Sequence, residues 1–235
     1  MGAISFSIDQ KLLALLTREL PIKTFVETGT FKGESLQIAR SIFPDCYSIE
    51  LSQEYYQAAV RHFAGQTGVH LLHGESPVCL RDLREKLQAI PTLFWLDAHW
   101  CVAENTAGDT SQSPLLGELK AIGSLHPQSV VLIDDARLYL CPPPAPHRAN
   151  DWPDFHSIIE ALAALNPTHR FMVWNDVIAF YPLSLQSSIS KFAHDTGVDW
   201  LQISLLAHEY QMQGKMKHER RERVRNLLNP FRARK

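Results

Sequence analysis

The chain has 235 residues, of which 45% are hydrophobic and 20% are charged, and its formal net charge is −2. This balance is that of a globular protein and excludes a disordered or fibrous chain, while the length suits one α/β domain. The sequence has no signal-peptide pattern, no apolar stretch as long as a transmembrane helix, and four cysteines without the spacing of a zinc site or a disulfide framework. We therefore expect a cytoplasmic protein with reduced thiols.

The first elements are a helix and a strand that ends in a glycine turn. Residues 8–20 carry apolar side chains at helical spacing and precede Pro21, which predicts a helix within residues 1–21. We expect this helix to pack on a sheet, with a lid over a ligand as the alternative. Residues 24–33 read TFVETGTFKG, which predicts a strand ending at Glu27, a turn through Gly29, and a helix after Gly33.

The acid at the end of this first strand narrows the class of ligand. The pattern Glu27-x-Gly29-x-x-x-Gly33 differs from the G-x-G-x-x-G pattern of proteins that bind dinucleotides. A carboxylate at this position would repel a pyrophosphate and attract an amino group. The turn therefore favours a ligand with an amino group and no phosphate, and it disfavours an NAD-dependent oxidoreductase.

The second and third strands are predicted at residues 46–51 and 69–73. Glu50 ends the second strand, where an acid in a doubly wound fold can accept hydrogen bonds from ribose hydroxyls. Glu75 and Ser76 follow the third strand, and each is a candidate for contact with an adenosine, although Ser76 also suits a helix N-cap. Between these strands, Ser52 is expected to cap a helix whose core side consists of Tyr55, Ala59, Val60 and Phe63.

The rest of the chain continues the alternation of strands and helices. Residues 92–96 and 129–133 predict two further strands, and residues 115–122, 155–165 and 185–196 predict helices. Residues 141–153 contain five prolines and predict a stiff loop. Two β-rich runs, 169–174 and 177–181, are joined at Asn175 and Asp176 and predict a hairpin. This order predicts a parallel sheet with helices on both faces and one antiparallel strand.

Three carboxylates mark the ends of the fourth and fifth strands. Asp97 follows the fourth strand, and Asp134 and Asp135 follow the fifth. Neighbouring parallel strands end at one rim of the sheet, so these acids are expected to lie close enough to share a hard cation such as Mg²⁺, Mn²⁺ or Ca²⁺. The alternative is that each acid caps a helix or pairs with Lys120 or Arg137.

Taken together, the segments TGTFKG, Glu50, LDAHW and LIDDAR resemble the metal-dependent O-methyltransferases of the macrocin O-methyltransferase type, which are class I S-adenosylmethionine-dependent methyltransferases. The resemblance covers roughly residues 24–137. It implies a Rossmann-like, doubly wound sheet of seven strands in the order 3-2-1-4-5-7-6, with strand 7 antiparallel. It also implies methyl transfer to a hydroxyl of a sugar or another small polyhydroxylated acceptor, as in the modification of natural products or glycans.

The resemblance assigns roles to residues of this chain. Asp97, Asp134 and Asp135 would hold the metal ion. The general base of that family is usually an acid, and His99 occupies its position here, where a neutral imidazole can accept a proton. S-adenosylmethionine would be bound by a set of residues from the first four strand ends, namely Glu27, Thr28, Gly29, Thr30, Gly33, Glu50, Glu75, Ser76 and Asp97.

The C-terminal segment is basic, with nine Lys or Arg against three Asp or Glu from Glu209 onward. We expect residues 1–205 to form one domain and residues 206–235 a basic helical tail. The tail is expected to pack on the acidic body or on a second subunit of a homo-oligomer, with peripheral contact to an anionic membrane as the alternative. No specific nucleic acid is expected. Two other functions stay open, namely a catalytically silent binding protein of this fold and a methyltransferase that acts on a protein or nucleic acid.

Overall fold

The structure is a computed structural model, and it describes residues 8–101, 111–199, 201–206, 208–210 and 212. Two compact units divide the chain, residues 1–195 and residues 196–235. The described part of the second unit is mostly helical. The predicted boundary between residues 205 and 206 stays a prediction, and most of the predicted basic tail lies outside the described residues. Among the described helices, none is long and apolar enough to cross a membrane.

The first unit is built on one sheet of seven strands in the order β3-β2-β1-β4-β5-β7-β6. Strands β1 to β5 run parallel, and β7 is antiparallel to both β5 and β6, which confirms the predicted arrangement. The strands are β1 Thr24–Thr28, β2 Asp45–Glu50, β3 Val69–His73, β4 Thr92–Leu96, β5 Val130–Ile133, β6 His169–Trp174 and β7 Val177–Pro182.

Helices cover both faces of this sheet, because side chains alternate along the buried central strands. Phe25 and Leu93 face a core formed with α1, α2, α3 and α8, whereas Val26 and Phe94 face a core formed with α4, α5, α6 and α7. The helices are α1 Gln10–Glu19, α2 Glu34–Ala39, α3 Gln53–His62, α4 Ser76–Ala89, α5 Leu115–Ile122, α6 Arg137–Leu140, α7 Phe155–Leu165 and α8 Gln186–Thr196. The packing of α1 on the sheet confirms the first of its two predicted roles.

The turn between β6 and β7 explains why the last strand is antiparallel. Asn175 and Asp176 both have positive φ angles, of 45° and 70°. Two such residues form the type of two-residue turn that matches the twist of a hairpin, and Asn and Asp tolerate this backbone region better than most residues. The hairpin brings Asp176 beside the carboxyl end of β5, where it becomes part of the site described below.

Three local predictions need correction. Val60 was predicted to face the core, but it is 37% exposed, because α3 buries Ala59 on its inner face and leaves the next residue outside. Ser52 occupies the N-cap position of α3 without a side-chain capping bond. Ser76 is the first residue of α4, and the N-cap position is taken by Glu75, so Ser76 is not a cap.

Candidate functional site

The turn after β1 is tight and lies directly against the end of β4. Gly29 has φ +83°, and its amide donates to the carbonyl of Ile49 in β2 at 2.9 Å. A Cβ atom at Gly29 would lie 2.5 Å from the carbonyl oxygen of Asp97. Asp97 in turn donates its amide to the carbonyl of Thr28 at 3.1 Å and approaches the Thr28 hydroxyl at 3.3 Å. Glycine is therefore required at position 29 by its positive φ angle and by the close approach of the Asp97 backbone.

Glu27 is buried at the end of β1 with half of its carboxyl group unsatisfied. Its Oε1 atom accepts a hydrogen bond from the Ser48 hydroxyl at 2.5 Å, and the Ser48 and Thr30 hydroxyls are also 2.5 Å apart. Its Oε2 atom is buried and has no hydrogen-bond partner among the described residues. Burial raises the pKa of Glu27 to about 8, against the effect of the Ser48 hydrogen bond and with help from the charges of Asp97 and Glu50. Burying an acceptor without a hydrogen bond lowers the stability of the protein, and a hydrogen-bond donor on a ligand would remove this penalty.

Glu50 joins the turns that follow β1 and β2. Its Oε2 atom accepts the amide of Phe31 at 2.8 Å, and its Oε1 atom accepts the amide of Ser52 at 2.7 Å. A carboxylate offers about four acceptor positions, so these two bonds leave capacity for further donors. Glu50 is thus held in a fixed orientation at the rim, as its predicted role requires.

Gly33, Glu75 and Ser76, which are also predicted to bind the cofactor, lie at the starts of α2 and α4. Gly33 has φ +76° at the start of α2, and a Cβ atom there would lie 2.9 Å from the ring of Phe63. The close approach at Gly33 is therefore to the residue that follows α3, and contact of Gly33 with a cofactor stays a prediction. Glu75 and Ser76 stand at the start of α4, next to the end of β3, with Ser76 buried.

Glu118 is a buried acid at this site that was not predicted from the sequence. It lies on α5 with 1% of its surface exposed, and no described residue forms a hydrogen bond with its Oε1 atom. Burial raises its pKa to about 7, although hydrogen bonds from the side chains of Ser76 and Thr28 lower it. Glu118 therefore links the end of β1 to the start of α4 from beneath the rim. In sequence it looks like an ordinary polar residue of an amphipathic helix, so only its contacts reveal it.

The ends of β4 and β5 bring His99 between two carboxylates. The His99 Nε2 atom is 2.7 Å from Oδ2 of Asp135, and its Nδ1 atom is 3.5 Å from Oδ1 of Asp97. Burial lowers the pKa of His99, but the hydrogen bond with Asp135 and the charges of Asp97 and Asp135 outweigh it and hold the pKa above its usual value. The arrangement fixes the orientation of the imidazole, which is what a proton-accepting group needs.

The second oxygen of Asp135 is engaged by Arg137. The guanidinium of Arg137 donates to Oδ1 of Asp135 at 2.7 Å and also pairs with Asp176. Burial would raise the pKa of Asp135, but the hydrogen bond and charge of His99, together with the hydrogen bond from Arg137, lower it to about 2. Asp176 further accepts the amide of Arg137 at 2.8 Å, so the β6–β7 hairpin holds Arg137 in place.

The predicted metal site is not formed by this arrangement. Asp97, Asp134 and Asp135 do lie at the ends of neighbouring strands, and burial with the charges of Asp97 and Asp135 raises the pKa of Asp134 to about 7. Both oxygens of Asp135, however, are engaged by His99 and Arg137. Among the described residues, no three His, Cys, Asp or Glu side chains group as a metal ion requires. The residues as placed therefore do not fit Mg²⁺, because a guanidinium and an imidazole neutralise Asp135 where a cation was expected.

Aromatic side chains line one side of His99. This aromatic cluster consists of Trp100, Tyr139, His147 and Trp152, and the rings of His99 and Trp152 are 5.6 Å apart. Gln112, also missed from sequence, fixes the cluster: its Oε1 atom accepts from the Arg148 amide at 2.6 Å and the Trp152 indole at 3.1 Å. The proline-rich loop is thus fastened beside the end of β4. The middle of the preceding loop, residues 102–110, lies outside the described residues.

Comparison with known proteins supports the fold. No family model and no curated protein matches the chain. A crystal structure from Staphylococcus aureus with a provisional assignment as a caffeoyl-CoA O-methyltransferase aligns over 74% of this chain and 84% of its own, with TM-score 0.50 and 17% identity. The sugar N-methyltransferase KedS8 from Streptoalloteichus covers 74% of this chain and 84% of its own, with TM-score 0.46 and 14% identity. At such identity the first likeness shows the fold alone, and this seven-stranded Rossmann-like fold is the one predicted from the sequence.

Proposed function

We propose that this protein is an S-adenosylmethionine-dependent methyltransferase that binds its cofactor over the ends of β1 and β2. The observation that carries the proposal is the Glu27 carboxyl group, which is buried beside the Gly29 turn. One of its oxygens, Oε2, has no partner in the part of the chain that the structure describes. The amino-acid part of the cofactor carries an ammonium group that would satisfy this oxygen with a charge-assisted hydrogen bond. A ligand with a pyrophosphate would instead bring its negative charges to the Glu50 carboxylate and would offer no donor to Oε2 of Glu27.

Glu50 supports the same placement. Its two existing hydrogen bonds, from the amides of Phe31 and Ser52, fix the carboxylate and leave acceptor positions for the two ribose hydroxyls. Glu75 and Ser76 lie at the next strand end along this edge of the sheet, on the side where the base would follow the ribose. The residues present therefore fit the cofactor from its amino group to its adenosine.

His99 is proposed as the general base for a hydroxyl acceptor. When bound, the cofactor supplies the methyl group on a positively charged sulfur, so the chain itself need only hold the acceptor oxygen in line and remove its proton. Nε2–H of His99 donates to the ionised Asp135, so the proton from the acceptor would go to Nδ1, and the charges of Asp135 and Asp97 would stabilise the resulting imidazolium. The hydrogen bond and charge of His99 keep Asp135 ionised, with a further hydrogen bond from Arg137. No step is assigned to a metal ion.

The acceptor is proposed to be a sugar or another small polyhydroxylated molecule. The resemblance to the macrocin type supports this class, and so does the aromatic cluster beside His99, since pockets for small molecules combine aromatic walls with a few polar groups. The apolar face of a sugar ring could pack on Trp100, and Gln112 holds the opposing Trp152 in place. The acceptor hydroxyl would then lie within reach of the imidazole.

Transfer from radiolabelled S-adenosylmethionine to a panel of sugars and other polyhydroxylated acceptors tests this function. His99→Ala should lower the rate by about 100-fold or more, as expected for loss of a general base, while binding of S-adenosylhomocysteine is unchanged. His156→Ala serves as the matched control, because the His156 side chain is 82% exposed on α7. A wild-type protein that binds no S-adenosylhomocysteine would contradict the proposal, and equal rates for His99→Ala and the control would remove His99 from the mechanism.

A further inference from the structure

A chain of three buried hydroxyl and carboxyl groups runs inward from the glycine turn to Glu27. The Thr30 and Ser48 hydroxyls are 2.5 Å apart, and the Ser48 hydroxyl is 2.5 Å from Oε1 of Glu27. Thr30 belongs to the turn, Ser48 to β2 and Glu27 to β1. None of the three is more than 4% exposed, so the bonds are shielded from competing water.

Strand register explains why Ser48 reaches Glu27. The pairing of β1 with β2 sets Glu27 opposite Ser48, so both side chains project from the same face of the sheet. Ser48 lies two residues before Glu50, and thus one position along that face from the proposed ribose contact. A serine held in a central strand has little freedom, and its hydroxyl contacts only one of the two carboxylate oxygens.

The number of protons that the three side chains carry determines which group donates each of these hydrogen bonds. An ionised carboxylate only accepts hydrogen bonds, so Ser48 must donate to Glu27 when the acid is paired with an ammonium group. The single Ser48 proton is then used, and the Thr30 hydroxyl must donate to Ser48. The direction from Thr30 through Ser48 to Oε1 of Glu27 leaves Oε2 as the oxygen that meets a ligand.

We propose that Ser48, supported by Thr30, is a positioning residue that fixes the Glu27 carboxylate so that Oε2 receives the ammonium group of the cofactor. This inference rests on the proposed function and deepens it. Ser48 acts through Glu27 and touches no ligand itself, so its effect is confined to ligands that carry the amino group. A serine that served only to stabilise the sheet would show no such selectivity.

Two ligands separate the positioning role from a structural one. S-adenosylhomocysteine carries the amino-acid part, whereas 5′-deoxy-5′-methylthioadenosine keeps the adenosine and the thioether but lacks that part. Ser48→Ala should weaken S-adenosylhomocysteine about 10-fold or more in calorimetry, as for a lost hydrogen bond to a charged group, and leave the shorter ligand within about 2-fold. Ser48→Cys keeps a weak donor and a similar volume, so it should fold as wild type. It should weaken S-adenosylhomocysteine by less than Ser48→Ala does and should also leave the shorter ligand nearly unchanged.

The matched control is Ser129→Ala. Ser129 is also fully buried beside the sheet and bonded, with its hydroxyl accepting the amide of Thr92 at 2.8 Å, but it precedes β5 at the opposite end from the rim. This variant should change neither affinity. Equal weakening of both ligands by Ser48→Ala and Ser48→Cys, or no weakening of either, would overturn the positioning role while the proposed function stands. Failure of both ligands to bind wild type would overturn the proposed function itself.

Discussion

Because the Gly29 turn contacts the end of β4, replacing Gly29 by alanine should destabilise the protein more than the same replacement at another glycine with a positive φ angle. In Gly29→Ala the new Cβ would meet the carbonyl oxygen of Asp97 at 2.5 Å and the Cα of Ala98 at 3.1 Å. Gly65 offers a matched control, because its φ of +74° is close to the +83° of Gly29 and no atom of the described residues lies within 4 Å of its Cβ position. Both substitutions place a side chain in the left-handed region, which costs about 1–2 kcal/mol. Only Gly29→Ala adds a backbone clash, and overpacking of this kind costs about 1–3 kcal/mol more.

Urea unfolding should therefore show a loss of about 2–5 kcal/mol for Gly29→Ala and about 1–2 kcal/mol for Gly65→Ala. The clash can be relieved only by moving the Gly29 turn or Asp97, so Gly29→Ala should also lose affinity for S-adenosylhomocysteine, whereas Gly65→Ala should keep it. Equal losses of stability in the two variants would refute the close packing of the turn on β4. An unchanged affinity in Gly29→Ala would show that the turn does not shape the cofactor site.

Three further predictions follow from the buried acids. The pKa of Glu27 in the protein without ligand is about 8, and an ammonium partner requires the ionised form. The affinity for S-adenosylhomocysteine should therefore rise about tenfold for each pH unit as the pH increases toward about 8. Calorimetry of Glu27→Gln should show no such rise. The pKa of Glu118 is raised from 4.5 to about 7, so its contribution to stability is complete below about pH 4.5 and is lost as pH rises through about 7. Glu118→Gln should then be the more stable form in urea at about pH 8, by up to about 3 kcal/mol, and the reverse order would contradict the assignment. Because Asp135 is neutralised by His99 and Arg137, a chelator should leave the rate of methyl transfer unchanged, and a large loss of that rate that added Mg²⁺ reverses would restore the metal hypothesis.

Much of the fold could be predicted because its signals are local. Strand β4 is an apolar run bounded by Pro91 and Asp97, and α7 begins and ends at the predicted residues. The hairpin could be predicted because Asn175 and Asp176 tolerate the positive φ angles that its turn requires. Patterns and turns of this kind depend on residues that are close in sequence. The strand order could be predicted from the order of the elements together with the family resemblance.

The contacts within the site could be predicted only in part. Strand ends place acids near one another, but they do not set where each side chain points, so the sequence indicated a metal site where Asp135 instead pairs with Arg137 and His99. Ser48 depends on the register of β1 against β2, and Glu118 depends on how α5 lies on the sheet. These are contacts between residues far apart in sequence, and a single sequence carries no local signal for them.

Calorimetric titration of S-adenosylhomocysteine into the wild-type protein and Glu50→Gln tests whether the cofactor binds at the ends of β1 and β2. Gln keeps the size of Glu50 and one carbonyl acceptor, but it loses the charge and half of the acceptor positions. Glu19→Gln on the exposed side of α1 is the matched control. We expect binding to wild type and to the control, and affinity about 10-fold or more weaker for Glu50→Gln. No binding to wild type, or equal affinity in all three proteins, would contradict a cofactor site at the ends of β1 and β2.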